Sequence, residues 1–97
     1  MIEVRQTEIY ARWFASLEDV RVRARILVRV RRLSLGNAGD VRPVGEGLSE
    51  LRIDYGVGYR IYYLGSAHKR IVTLLAGGDK RSQARDIRTA LRLAREI

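Results

Sequence analysis

Apolar and polar side chains alternate over residues 2–5, the period of a half-buried strand. Gln6-Thr7 closes that run, and the Thr7 hydroxyl can cap a helix. Ile9, Trp13 and Leu17 then fall on one helical face with Tyr10 and Phe14 beside them, which predicts a first helix to about Ser16. Glu18-Asp19 restarts the helical pattern with Asp19 as cap. Val20, Ala24, Leu27, Val30 and Leu33 supply the expected buried stripe, and Gly36-Asn37 the stop.

From Asp40 the period changes to two. Residues 41–44, 48–54, 59–64 and 70–76 read as four strands, with Pro43 marking the first as short, irregular or at an edge. Gly45-Glu46-Gly47, Tyr55-Gly56-Val57-Gly58 and Gly65-Ser66-Ala67-His68 are the expected turns. Gly77-Gly78-Asp79 is expected to break the last strand, and Ser82 or Asp79 to cap a final helix with Ile87, Leu91 and Ala94 as its stripe. The order βααββββα predicts an α+β fold, with two N-terminal helices on a small, mostly antiparallel sheet and a C-terminal helix. A chain of 97 residues allows one domain, 1–97, because a second core would leave each half too little apolar surface to bury.

Polarity fixes a register for the central hairpin. Opposite residues of an antiparallel pair share a face, so pairing Arg52 with Arg60 also pairs Leu51 with Ile61, Ile53 with Tyr59 and Glu50 with Tyr62. The apolar set then faces the helices, while Glu50, Arg52, Arg60 and Tyr62 lie on a face expected to be open. Two opposed arginines repel, so an anion is expected between them: Glu50 in the free protein, or a phosphate in a complex. With Tyr62 as a stacking platform this mix of cation and aromatic suits single-stranded nucleic acid; without a ligand it is a surface Arg–Glu network.

Charge strengthens the first alternative. The chain has 19 Lys and Arg against 11 Asp and Glu, a net +8, and only Lys69 and Lys80 of the cations are lysines. Such a surface implies a polyanion partner, and arginine suits bidentate contact with phosphate. Arg21, Arg25, Arg29 and Arg32 recur along one side of the second helix as an RNA-facing strip, a solvated surface or a protein contact. Lys80, Arg81 and Arg85 gather where the last strand meets the last helix, and amides at a helix start attract anions. Gly-Gly-Asp-Lys lacks the longer spacing of a Walker A loop.

Other chemistries find less support. No cysteine is present, which excludes disulfides and thiolate metal sites, and His68 has no second histidine for a metal cage, leaving only weak magnesium binding by carboxylates. No cofactor is expected. His68 reads as an incidental turn residue. Residues 1–10 carry Glu3, Arg5 and Glu8 without an apolar run, so neither a signal peptide nor a membrane span is expected and the cytoplasm is the default.

Gly-Leu-Ser-Glu-Leu-Arg-Ile-Asp at 47–54, Gly-Tyr-Arg-Ile-Tyr-Tyr at 58–63 and Leu-Leu-Ala-Gly-Gly-Asp-Lys-Arg-Ser-Gln-Ala-Arg-Asp-Ile at 74–87 together resemble the phage-derived addiction-module killer-protein branch of the RelE/ParE toxin superfamily. Trp13-Phe14, Asn-x-Gly-Asp at 37–40 and Val-Gly-x-Gly-Leu at 44–48 extend the likeness over nearly the whole chain. The resemblance implies a type II toxin that cleaves mRNA on the ribosome without metal. It also implies a helix-turn-helix antitoxin partner, through which alone operator DNA is contacted. It puts Arg52, Arg60, Lys80 and Arg81 at the family's basic site; together with the register and charge reading, Arg52, Arg60 and Lys80 are expected to be catalytic and Glu50, Tyr62, Arg81 and Arg85 to contact RNA or phosphate. Some relatives use a tyrosine or histidine near the C-terminus as an acid, and here no aromatic follows Tyr63 and no histidine follows His68. Other members of the superfamily inhibit DNA gyrase without catalysis, which is the alternative, and a module that only binds antitoxin or RNA is a third.

Overall fold

The computed structural model describes residues 1–66 and 68–97 and runs β1 (Glu3–Gln6), α1 (Glu8–Ser16), α2 (Val20–Ser34), β2 (Val41–Gly45), β3 (Leu48–Ile53), β4 (Tyr59–Ser66), β5 (Ile71–Asp79), a 3-10 turn (Lys80–Ser82) and α3 (Gln83–Arg95). The order is the expected one. Thr7 accepts from the Tyr10 amide and starts α1, and Asp19 accepts from the Arg21 amide and starts α2. The β2–β3 hairpin closes on Glu46 and Gly47, both at positive φ, the backbone that matches the twist of paired strands.

Strands lie in the order β1-β5-β4-β3-β2, with β1 parallel to β5 and the rest an antiparallel meander. The central hairpin adopts the expected register, with Arg52 opposite Arg60, Leu51 opposite Ile61 and Glu50 opposite Tyr62. Pro43 sits on the edge strand β2, where a bulge follows it and no donor is missed.

Two apolar clusters lie on opposite faces of the sheet. Tyr10, Val22, Ile26 and Leu33 of the first two helices pack on Leu51, Ile53, Ile61, Tyr63, Val72 and Leu74. On the other face Ala90 and Leu93 of α3 pack on Leu48, Tyr62, Leu75 and Ala76. The face expected to be open is therefore covered by α3.

The helices bury part of their expected stripes: Trp13, Leu17, Val30 and Leu33 pack on the core, as do Ile87, Leu91 and Ala94 on the other face, whereas Ile9, Val20 and Leu27 are exposed. In α2 the buried positions are Val22, Ile26 and Leu33, while Val20 and Leu27 are exposed. The arginines at 29 and 32 shift the best apolar face, and burying Ile26 completely outweighs the stripe that starts at Val20. Tyr10 rather than Ile9 is the buried residue of α1, and Asp86, Ala90 and Leu93 are the buried line of α3, with Ile87, Leu91 and Ala94 half-buried beside it.

The glycine pair does not break β5, which continues through Gly77, Gly78 and Asp79. Each glycine instead permits a close approach on its own face. A Cβ on Gly77 would stand 2.2 Å from the Trp13 ring, and one on Gly78 would stand 1.8 Å from Asp86 Oδ2. β4 likewise runs past Leu64 through Ser66; of the turn expected at 65–68, Ala67 lies outside the described residues.

Candidate nucleic-acid interface

Strand alternation sends Glu50, Arg60 and Tyr62 to the α3 side of the sheet, and α3 encloses them. Glu50 and Tyr62 are fully buried and Arg60 is 5% exposed, so none lies on an open surface. Arg60 Nε stands 3.9 Å from Glu50 Oε1, while Gln83 at the start of α3 donates to Glu50 Oε2 at 2.7 Å. The anion expected between the opposed arginines is thus Glu50 for Arg60. Arg52, half-buried, turns the other way, with Nε 4.0 Å from Asp40 Oδ2.

This cluster is incompletely satisfied. Glu50 Oε1, Arg60 Nε, Arg52 Nε and the Tyr62 hydroxyl are buried without a hydrogen-bond partner. Burial, and then the charge of Glu50, hold the Tyr62 phenol well above its ordinary range, so it stays protonated. Enclosed in this way, Tyr62 is not available as a stacking platform. Asp86 closes the cluster from α3, accepting from Ser82 Oγ above Gly78.

Around the buried cluster runs an exposed basic rim. Asp79 pairs with Gly78's neighbour strand at Tyr59, and its side chain caps the 3-10 turn by accepting from the Arg81 amide at 2.8 Å. The Arg81 guanidinium also binds the Asp79 carboxylate, at 3.0 Å between Nη2 and Oδ2, which lowers the pKa of Asp79 and raises that of Arg81. Lys80 is exposed; its amide donates to Gly58 O and its aliphatic stem lies over Gly58, beside the start of β4. Arg81, Arg85 and Arg88 then line a polar groove of about 530 Å³ at the start of α3, with Arg85 Nε 3.7 Å from Asp86.

A Haemophilus influenzae protein described as uncharacterized is 43% identical to this chain over 96 residues, 99% of this chain and 96% of its own length. The chain belongs to that protein's family. No family model matches it. Among solved structures its fold is similar to that of a chain in the intact Escherichia coli RelBE toxin–antitoxin complex, with a TM-score of 0.65 over 81% of this chain and 96% of that one. Identity there is 16%, so the likeness is one of fold, a RelE-like α+β arrangement.

Of the site residues expected from sequence, the structure brings Glu50, Arg60 and Tyr62 into one buried cluster, sets Lys80, Arg81 and Arg85 at the start of α3 and leaves Arg52 beside Asp40. Sequence reasoning missed Gln83, Asp86 and Arg88. For Gln83 and Asp86 the signal was present, since positions 83, 86, 90 and 93 form a helical line that is polar in its first turn and apolar below. Chemically the rim offers phosphate contacts and one lysine. The carboxylate of Glu50 is buried and accepts from Gln83. Among the described residues no helix is long and apolar enough to cross a membrane.

Proposed function

We propose that this protein is the toxin of a type II toxin–antitoxin pair, of the phage-derived addiction-module killer-protein branch, and that it cleaves mRNA on the ribosome. The observation that carries the reading is the RelE-like fold with arginines and Lys80 gathered around the start of its last helix. The rim cations hold the scissile phosphate and stabilise the extra charge of its pentacoordinate state. Lys80, exposed on that rim, exchanges a proton with the reacting 2′-hydroxyl or the leaving 5′-oxygen. Arg60 and Glu50 support the rim from beneath. A helix-turn-helix antitoxin neutralises the toxin, operator DNA is reached through it, and both act in the cytoplasm.

Two measurements test this reading. Induction of the chain alone should arrest bacterial growth, and co-expression of its neighbouring antitoxin gene should restore it. Mapping the 5′ ends of cellular mRNA after induction should show new ends within translated frames. Growth arrest with intact mRNA and inhibited gyrase supercoiling would replace the nuclease reading with the gyrase one, and normal growth with abundant folded protein would end the toxin reading altogether.

A further inference from the structure

The second helix carries six arginines in fifteen residues and no carboxylate, and Arg21 and Arg23 lie in its first turn, where the helix dipole disfavours cations. Arg21, Arg25 and Arg29 repeat at four residues as like-charged neighbours, which also works against the helix. One of them has a structural task. Arg29 donates to Arg52 O at 2.6 Å, Ala38 O at 3.0 Å and Asp40 O at 3.2 Å, tying α2 to β3 and the α2–β2 loop. For Arg25 and Arg32 no carboxylate stands within ion-pair distance among the described residues, and Arg21 has only exposed Asp19, at 3.6 Å.

These side chains frame a groove of about 600 Å³ between α2 and the end of β3, lined also by Ala24, Val28 and Tyr55. It lies on the α1–α2 face of the sheet, opposite the face that α3 covers. Val28, which lines it, is 57% exposed, and Val20 and Leu27 on the same helix are 66% and 57% exposed. The groove's aromatic ring already carries a cation, since the Arg25 guanidinium sits 4.1 Å from the centroid of Tyr55.

We infer that this groove is a docking site for an acidic amphipathic segment of a partner protein, with aliphatic side chains entering beside Ala24 and Val28 and carboxylates meeting Arg21, Arg25 and Arg32. Charge complementarity selects an acidic occupant, and Asp54 is the one carboxylate among the described residues lining the groove. The aliphatic surface selects protein over RNA. Phosphate gains nothing from Ala24 or Val28, and a base finds Tyr55 already capped by Arg25. Identification of the partner as the neutralising antitoxin rests on the toxin reading; the chemistry of the groove does not.

The test is a titration of the isotopically labelled full chain, followed through its backbone amides, with two probes. One is a helix-forming peptide with leucines on one face and glutamates flanking them; the other is a single-stranded RNA of equal charge. The peptide is expected to shift Ala24, Val28 and Tyr55 saturably, and the RNA to act at Arg81 and Arg85. Val28→Asp and Arg25→Glu, both at side chains on the surface, should each weaken the peptide by about tenfold or more while the amides of β5 keep their positions. Scattered, unsaturable peptide shifts overturn the proposal, as does displacement of the peptide from these amides by the RNA. Neither result bears on mRNA cleavage, which is read separately.

Discussion

Arg60 and Arg52 face each other across two strands, yet burial separates what their loss does. Removing Arg60 leaves Glu50 uncompensated beneath α3, so Arg60→Ala is expected to cost about 3 kcal/mol or more, a large part of the stability of a small domain. Sequence reasoning, which placed Arg60 on an open face, expects this variant to fold normally. Arg52→Ala, at a half-buried side chain whose carboxylate partner is distant, should cost about 1 kcal/mol or less. Denaturant unfolding of both variants decides; equal and small losses would mean that Glu50 finds another partner. Lys80 poses a different question, because it is exposed and its backbone, not its ammonium, is tied to Gly58. If it moves a proton, Lys80→Ala is inactive and Lys80→Arg strongly impaired, since a guanidinium with a pKa of about 12 or more keeps its protons near neutrality. If it only grips phosphate, Lys80→Arg remains active. A ribosome-programmed cleavage assay of the two variants distinguishes these roles, and full activity of Lys80→Ala removes Lys80 from the site.

At the scale of the elements, the order of strands and helices and the register of the β3–β4 hairpin were legible, because period two, period 3.6 and the polarity of opposed pairs are local signals. What covers which face was not. The apolar stripe of α3 says that the helix packs, but nothing local says against which face of the sheet. The decisive marks are Gly78, where any side chain would collide with Asp86, and the polar first turn of α3, which meets Glu50 through Gln83. The same covering has a consequence at high pH. Burial under α3 raises the Tyr62 phenol, and on the other face burial of Tyr10 between α1 and the sheet pushes its phenol up to about 12. Tyrosines of the unfolded chain ionise near pH 10, before the folded ones, so stability is complete below that pH and falls as pH rises through the window up to the folded values. For Tyr10 the loss amounts to about 2–3 kcal/mol. Thermal midpoints measured between pH 9 and 12 should therefore fall, and Tyr10→Phe should flatten the fall; an unchanged slope in that variant would assign the loss elsewhere.

Across the whole molecule two basic clusters lie on opposite sides of the sheet, the rim at the start of α3 and the row on α2. Composition alone could not separate them, since both contribute the same sign. Their partners can. Binding of single-stranded RNA releases counterions in proportion to the phosphates neutralised, with a slope of log affinity against log salt of roughly −0.7 for each contact. Lys80, Arg81, Arg85 and Arg88 on the rim would give a slope of about −2 to −3, the lower figure because Asp79 already neutralises part of Arg81. Substituting Lys80 or Arg85 by Ala should flatten the slope by one contact's share, about 0.7, and weaken binding to every sequence alike. Substituting Arg25 or Arg32, on the other face, should leave it unchanged. Filter binding at several salt concentrations measures this directly. A slope that responds equally to Arg32→Ala and Arg85→Ala would mean that RNA wraps both faces, and the separation of a nucleic-acid rim from a protein-docking groove would fail.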